Sequence, residues 1–321
     1  MYIKQIIKDE SNSWIDFLKL SFTIIIAFIF TLLFSLPHSL VLVNTLKNES
    51  EAEMSSRQAF AQLESMDFSS QMQIIEPNLN LVLGLLGSLG MLIAIILCNK
   101  YINGNTFLSL TTSRQKIDFN RIFYSFSLWA SFMVFSILLG YFMMPENYDT
   151  NFNLKPFLIL TLISFLLFPI QTSAEEYLFR GYMIQNLGLI TRNRWFPLIA
   201  SSVLFGLVHF ANPEVPKLGN MIFVYYIGSG LFAGIITLMD EGLELALGWH
   251  AANNIALALL FTTDYTAVQT DSILKGIGDA PDQMQFSDVF FPVFIVFPAV
   301  IYIFSKKYDW KNWKGKLFGK I

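Results

Sequence analysis

The sequence predicts an all-α, polytopic membrane protein with about eight transmembrane helices enclosing a polar intramembrane cavity. Three observations lead there. The chain is 54% hydrophobic and only 14% charged, with 32 phenylalanines among 321 residues, where soluble globular proteins carry about 25% charged residues. Apolar runs of membrane-spanning length recur along it. In its second half, two carboxylates, an arginine and two imidazoles interrupt those runs. A charged group near a bilayer centre costs roughly 2.5–3.5 kcal/mol on insertion scales, so these residues are expected to line a polar pocket.

The apolar runs lie near 18–44 (bent at Pro37), 79–98, 121–144, 156–174, 195–211, 219–239, 243–262 and 286–305. They divide the chain into a block of three helices with an acidic loop (1–155), a core of four helices (156–262), and a last loop, helix and basic tail (263–321). The first run is too long for a cleavable signal and lacks a small-x-small site after a short apolar core. Basic residues sort to one side: Lys4, Lys8 and Lys19, then Lys100, Arg114, Lys116 and Arg121, then Arg180, Arg192 and Arg194, and six lysines from Lys306 to Lys320. Only Lys47, Arg57, Lys155, Lys217 and Lys275 fall on the other. That asymmetry predicts a multi-pass protein of the cell membrane with both termini cytoplasmic.

The loops carry no visible chemistry. The 45–78 connection is acidic (Glu49, Glu51, Glu53, Glu64, Asp67, Glu76) with room for a surface helix around Ala59–Met66. Asp264, Asp271, Asp279 and Asp282 lack calcium-loop spacing and read as a solvated loop. The lysine tail with Trp310 and Trp313 reads as an interfacial anchor. No basic stripe interleaved with aromatics speaks for nucleic acid. Cys98, the single cysteine, excludes an internal disulfide and reads as a small buried hydrophobe. Gly84, Gly87, Gly90 and the Gly230/Gly234 pair have helix-packing spacing within the chain and say nothing of oligomeric state.

Three short patterns carry the chemistry: Glu175-Glu176-xxx-Arg180, Phe205-xxx-His209 and His250-xxx-Asn254. Adjacent glutamates point about 100° apart on a helix, whereas Glu176 and Arg180 have the spacing at which a carboxylate meets a guanidinium. The economical arrangement pairs Glu176 with Arg180 and leaves Glu175 unpartnered in the cavity, as suits a general base. His209, one turn after Phe205, and His250 are two of three histidines. The third, His38, lies beside Pro37 with no partner in sight and reads as interfacial. His250 and Asn254 share one face and could both donate to one oxygen, as an oxyanion hole requires.

Two chemistries use such a set. In one, Glu175 with His209 activates a water that attacks a peptide carbonyl, while His250 and Asn254 hold the oxyanion; no cofactor is needed. In the other, Glu175, His209 and His250 bind zinc and the metal activates the water. Compact zinc signatures are absent, which favours the first. Ser201 and Ser202 lie outside any nucleophile elbow.

In order and in membrane segments, EExxxR, FxxxH and HxxxN resemble the CPBP family of type II CAAX prenyl endopeptidases and their bacterial relatives, over roughly 156–262. The resemblance implies an eight-helix intramembrane protease acting on a membrane-associated protein or peptide. It implies Glu175 as catalytic glutamate, His209 as its partner, His250 and Asn254 at the oxyanion, and Glu176, Arg180 and Phe205 in support. A non-catalytic membrane scaffold or immunity-type protein is the alternative. A proton-coupled transporter would show inverted repeats, which are lacking. One geometric requirement follows. Glu175 falls near the end of the fourth run, so that run must continue past it, bent at Pro169, or 175–190 must form a separate embedded helix.

Overall fold

The computed structural model describes residues 2–7, 12–50, 54–278 and 284–321. Lys8, Glu51, Glu53, Asp279 and Asp282, named above for their charge, lie outside the described residues. Each of the eight apolar runs contains a helix. They are α1 (Ser13–Glu49), α2 (Pro77–Tyr101), α3 (Phe119–Met143), α4 (Leu154–Thr191), α5 (Trp195–Ala211), α6 (Ile222–Asp240), α7 (Glu244–Leu260) and α8 (Phe286–Lys307). Six are long and apolar enough to cross a membrane; α5 and α7 are shorter, and α7 is 17 residues. At 1.5 Å per residue that is about 25 Å, a little less than a bilayer's hydrocarbon core. The chain is an all-α polytopic membrane protein.

Local sequence explains where the helices start. Glu76 accepts from the Leu79 amide at 2.9 Å with Pro77 in the first turn, and Asp118 accepts from the Asn120 amide at 3.1 Å. Both are side-chain caps of otherwise orphaned amides. The outer surface is apolar, with Phe22, Ile25, Phe28, Leu162 and Phe165 exposed, as expected where lipid replaces water.

Helix α7 is the axis of the bundle, packed between α3 and α4 and buried along nearly its whole length. Its approach to α3 depends on Gly248: a Cβ there would lie 2.1 Å from the Ile122 carbonyl oxygen. Backbone cannot yield cheaply, so Gly248→Ala should push α7 off α3 and lower stability by about 1–3 kcal/mol, readable as earlier thermal unfolding in detergent. Similar close approaches join Gly90 to Phe30 of α1 and Gly230 to Ser202 of α5, so these small residues do pack helices of the same chain. Cys98 is buried, 4% exposed.

Both terminal segments meet at one end of the bundle. The Tyr2 amide donates to the Glu241 carboxylate, Lys316 Nζ to the Met239 carbonyl (2.6 Å) and the Ile321 amide to the Arg192 carbonyl (3.0 Å). Arg114 bridges Asp240 and Glu244 at 2.8 and 3.1 Å, and Arg121 also pairs with Asp240. Trp310 corrects the anchor reading: it is 8% exposed and its indole donates to Asp240 at 3.0 Å. A buried carboxylate flanked by two guanidiniums recruits the indole inward. His38 is also corrected, since Nε2 meets Asn80 Oδ1 at 2.6 Å.

At the opposite end, Tyr148–Thr150 (β1), Phe261–Thr262 (β2) and Leu274–Gly276 (β3) form a small sheet in the order β1-β3-β2. A helix spans Ser56–Ser65. The 263–278 stretch is more than a solvated loop. Asp264 pairs with Lys275 at 2.8 Å, and Asp271 accepts from Asn78 at 3.1 Å; burial, and then the Glu76 carboxylate, push the Asp271 carboxyl up.

Candidate active site

Helix α4 does not end at Glu176. It continues through a π-helical segment, Tyr177–Met183, into Ile184–Thr191, although Pro169 lies inside it. This meets the requirement left by the sequence. Counted from Thr191 at 1.5 Å per residue, Glu175 stands about 24 Å along α4 and, from Trp195, His209 about 21 Å along α5. The two reach similar heights from the same end. The wider π turn falls directly after the two glutamates; such insertions re-aim side chains and recur at functional sites.

Glu176 is fully buried, and its Oε1 accepts from Arg180 Nη1 at 3.0 Å and His250 Nδ1 at 2.8 Å. The i,i+4 ion pair expected from the sequence is therefore present, joined by an imidazole from α7. The Arg180 guanidinium, also fully buried, lies 4.0 Å over the Phe205 ring. Desolvated, this is the setting in which a cation–π contact is strongest. Phe205 also touches His209 at 5.0 Å and His250 at 6.0 Å between centroids, so one ring supports the arginine and both histidines.

Glu175 is the more open of the pair, with its side chain 21% exposed against 0% for Glu176. It is not partnerless. Gln171, one turn earlier, donates to Oε1 at 2.5 Å, and His250 Nε2 lies 3.6 Å from Oε2. Asn254 Nδ2 in turn donates to Gln171 Oε1 at 2.8 Å. His250 and Asn254 do share the face of α7 that meets α4, but one donor of each is engaged, by Glu176 and by Gln171. Sequence reading passed over Gln171, although a polar residue four before Glu175 in an apolar run was a usable signal.

His209 stands apart from the carboxylates. Its Nδ1 donates to the Phe205 carbonyl at 2.7 Å, and its ring stacks on Tyr226 at 4.4 Å. No hydrogen bond or ion pair joins it to Glu175 among the described residues. Because a carbonyl only accepts, Nδ1 carries the proton and Nε2 the lone pair. The zinc alternative needs Glu175, His209 and His250 around one ion. Among the described residues no group of three or more His, Cys, Asp or Glu side chains is placed to hold a metal.

Fold and site together define a polytopic helical membrane protein with two carboxylates of α4 and an imidazole of α7 gathered inside the bundle, and a second imidazole on α5 beside them across the Phe205 ring. Residues 154–256 match the family model of the type II CAAX prenyl endopeptidase Rce1-like proteins. The uncharacterized protein YyaK of Bacillus subtilis (strain 168) is 33% identical over 164 residues, which cover 51% of this chain and 55% of that protein. The chain thus aligns with about half the length of this relative. No solved structure matches the chain.

Proposed function

We propose that the protein is an intramembrane endopeptidase that hydrolyses a peptide bond of a membrane-associated protein or peptide, without a metal. It acts in the cell membrane with both termini in the cytoplasm. What supports this reading is one arrangement: His250 set between Glu176 at 2.8 Å and Glu175 at 3.6 Å, inside the segment that matches the Rce1-like family model.

Water is the nucleophile. In this reading it is held between the Glu175 carboxylate and His209 Nε2, the ring nitrogen that does not bond the Phe205 carbonyl. As its oxygen bonds to the scissile carbonyl carbon, its proton passes to this base pair, and the carbonyl oxygen becomes an oxyanion. His250, its Nδ1–H held by Glu176, turns Nε2 toward the oxyanion as a donor between the two carboxylates that flank it. The remaining Asn254 N–H is the second donor. Gln171 orients Asn254 and Glu175 together. When the intermediate collapses, the carbon–nitrogen bond breaks and the stored proton goes to the leaving amine, giving a carboxylic acid and an amine; the second proton of the water then leaves the acid for the amine, so that a carboxylate and an ammonium are released.

The test uses purified protein in liposomes and membrane-anchored peptides with and without a lipid chain, the products read by mass spectrometry. Wild type should cleave, His209→Ala should cleave about 10²-fold more slowly or worse, and 1,10-phenanthroline should leave the wild-type rate unchanged. Chelator loss restored by zinc would replace this mechanism with the metal-dependent one. If His209→Ala lowers thermal stability and no peptide is cut by either protein, the scaffold reading takes its place.

A further inference from the structure

His209 lies on a single 3-10 turn, Val208–Ala211, between the exposed Val208 and Phe210. Its ring is held by the Phe205 carbonyl and ring of α5 and, across from it on α6, by one further side chain. That is Tyr226, whose plane is 24° from parallel with the imidazole at 4.4 Å. Gly206 sets the separation: a Cβ there would lie 2.5 Å from Ile227 Cγ1 and 3.1 Å from the Ile227 amide nitrogen, so α5 and α6 touch next to the stacked pair.

Tyr226 is itself held. Its hydroxyl donates to Glu214 Oε1 at 2.5 Å, and the same oxygen accepts from Asn212 Nδ2 at 2.9 Å. The other carboxylate oxygen accepts from the Ala267 amide at 3.0 Å. Glu214 is 7% exposed, and no cation pairs with it among the described residues. Burying a carboxylate is costly unless its oxygens are occupied, and here the other two donors, Asn212 and Ala267, tie the carboxylate that holds Tyr226 to the chain on either side of it.

We propose that Tyr226 is a positioning residue for His209, and that Glu214 is the mount that keeps Tyr226 in place. This rests on the reading of His209 as half of the water-activating pair. The Nδ1–H bond to Phe205 fixes which nitrogen carries the lone pair, and the Tyr226 face fixes where that nitrogen points.

The experiment compares Tyr226→Leu, Tyr226→Phe and Glu214→Gln in the liposome assay and in 15N-histidine NMR of the detergent-solubilised protein, with His209→Gln to assign one of three histidine signals. Tyr226→Leu should lower kcat by about 10- to 100-fold with KM unchanged, and shift the His209 signals alone. Tyr226→Phe keeps the stack and should retain most of the kcat that leucine loses, and Glu214→Gln should fall between them. Tyr226→Leu that leaves kcat and the His209 signals as in wild type overturns the proposal. So does a loss common to all three variants that moves every histidine signal, which marks a merely structural role. Full turnover by His209→Ala would defeat the underlying reading instead, and the His209 spectrum would still report whether Tyr226 holds the ring.

Discussion

Glu175→Gln is expected to slow peptide cleavage by about 10²–10⁴-fold while leaving thermal unfolding where it was. The substitution preserves shape, and the Gln171 amide can still donate to the new side-chain oxygen as it does to Glu175 Oε1. Only basicity and charge are lost, on a side chain that is part-exposed where its neighbour Glu176 is sealed in. Glu175→Asp sharpens the test, because it keeps the charge but withdraws it from His250 by about one carbon–carbon bond, roughly 1.5 Å. Its rate should lie between those of wild type and glutamine. Single-turnover cleavage of one anchored peptide in liposomes gives the rates, and circular dichroism with thermal melts gives the fold. A glutamine variant that cuts at the wild-type rate ends the role assigned to Glu175.

The contrast between the two adjacent glutamates was readable in advance because it is helical geometry. Neighbours on a helix diverge by about 100°, and Arg180 stands at the spacing that claims Glu176. His250 and Asn254 sharing a face was legible for the same reason. What their donors meet was not, because Glu176 and Gln171 reach them across 74 and 83 residues. Phe205 could be placed one turn before His209, but not beneath a guanidinium from another helix. The continuation of α4 through a π turn lies beyond hydropathy, since Tyr177, Leu178 and Phe179 read equally well as a span's end or its middle. Tyr226 and Glu214 lay hidden in two unrelated stretches, an aromatic run and a loop. Trp310 beside lysines has the composition of an interfacial anchor; only the buried Asp240 carboxylate, far away in sequence, draws it inward.

The second large effect concerns stability. Arg180→Ala should destabilise the protein by about 3–5 kcal/mol, the cost of leaving a buried charge without its partner. Glu176 would keep only His250, and its Oε2 has no hydrogen-bond partner even with Arg180 present. The Phe205 ring would lose the cation lying 4.0 Å above it. Arg180→Lys should recover little of this, because an ammonium lacks the planar face that covers Phe205. The informative variant is the double substitution Glu176→Gln with Arg180→Met. Removing both charges avoids the orphaned carboxylate, so its melting temperature in detergent should recover well above that of Arg180→Ala. Its activity should not recover, because His250 would then lack the carboxylate that fixes Nδ1. Stability restored without turnover would separate holding the helices from orienting the imidazole, and a double variant as unstable as Arg180→Ala would show that the pair's packing, rather than its charge, holds α4 to α5 and α7.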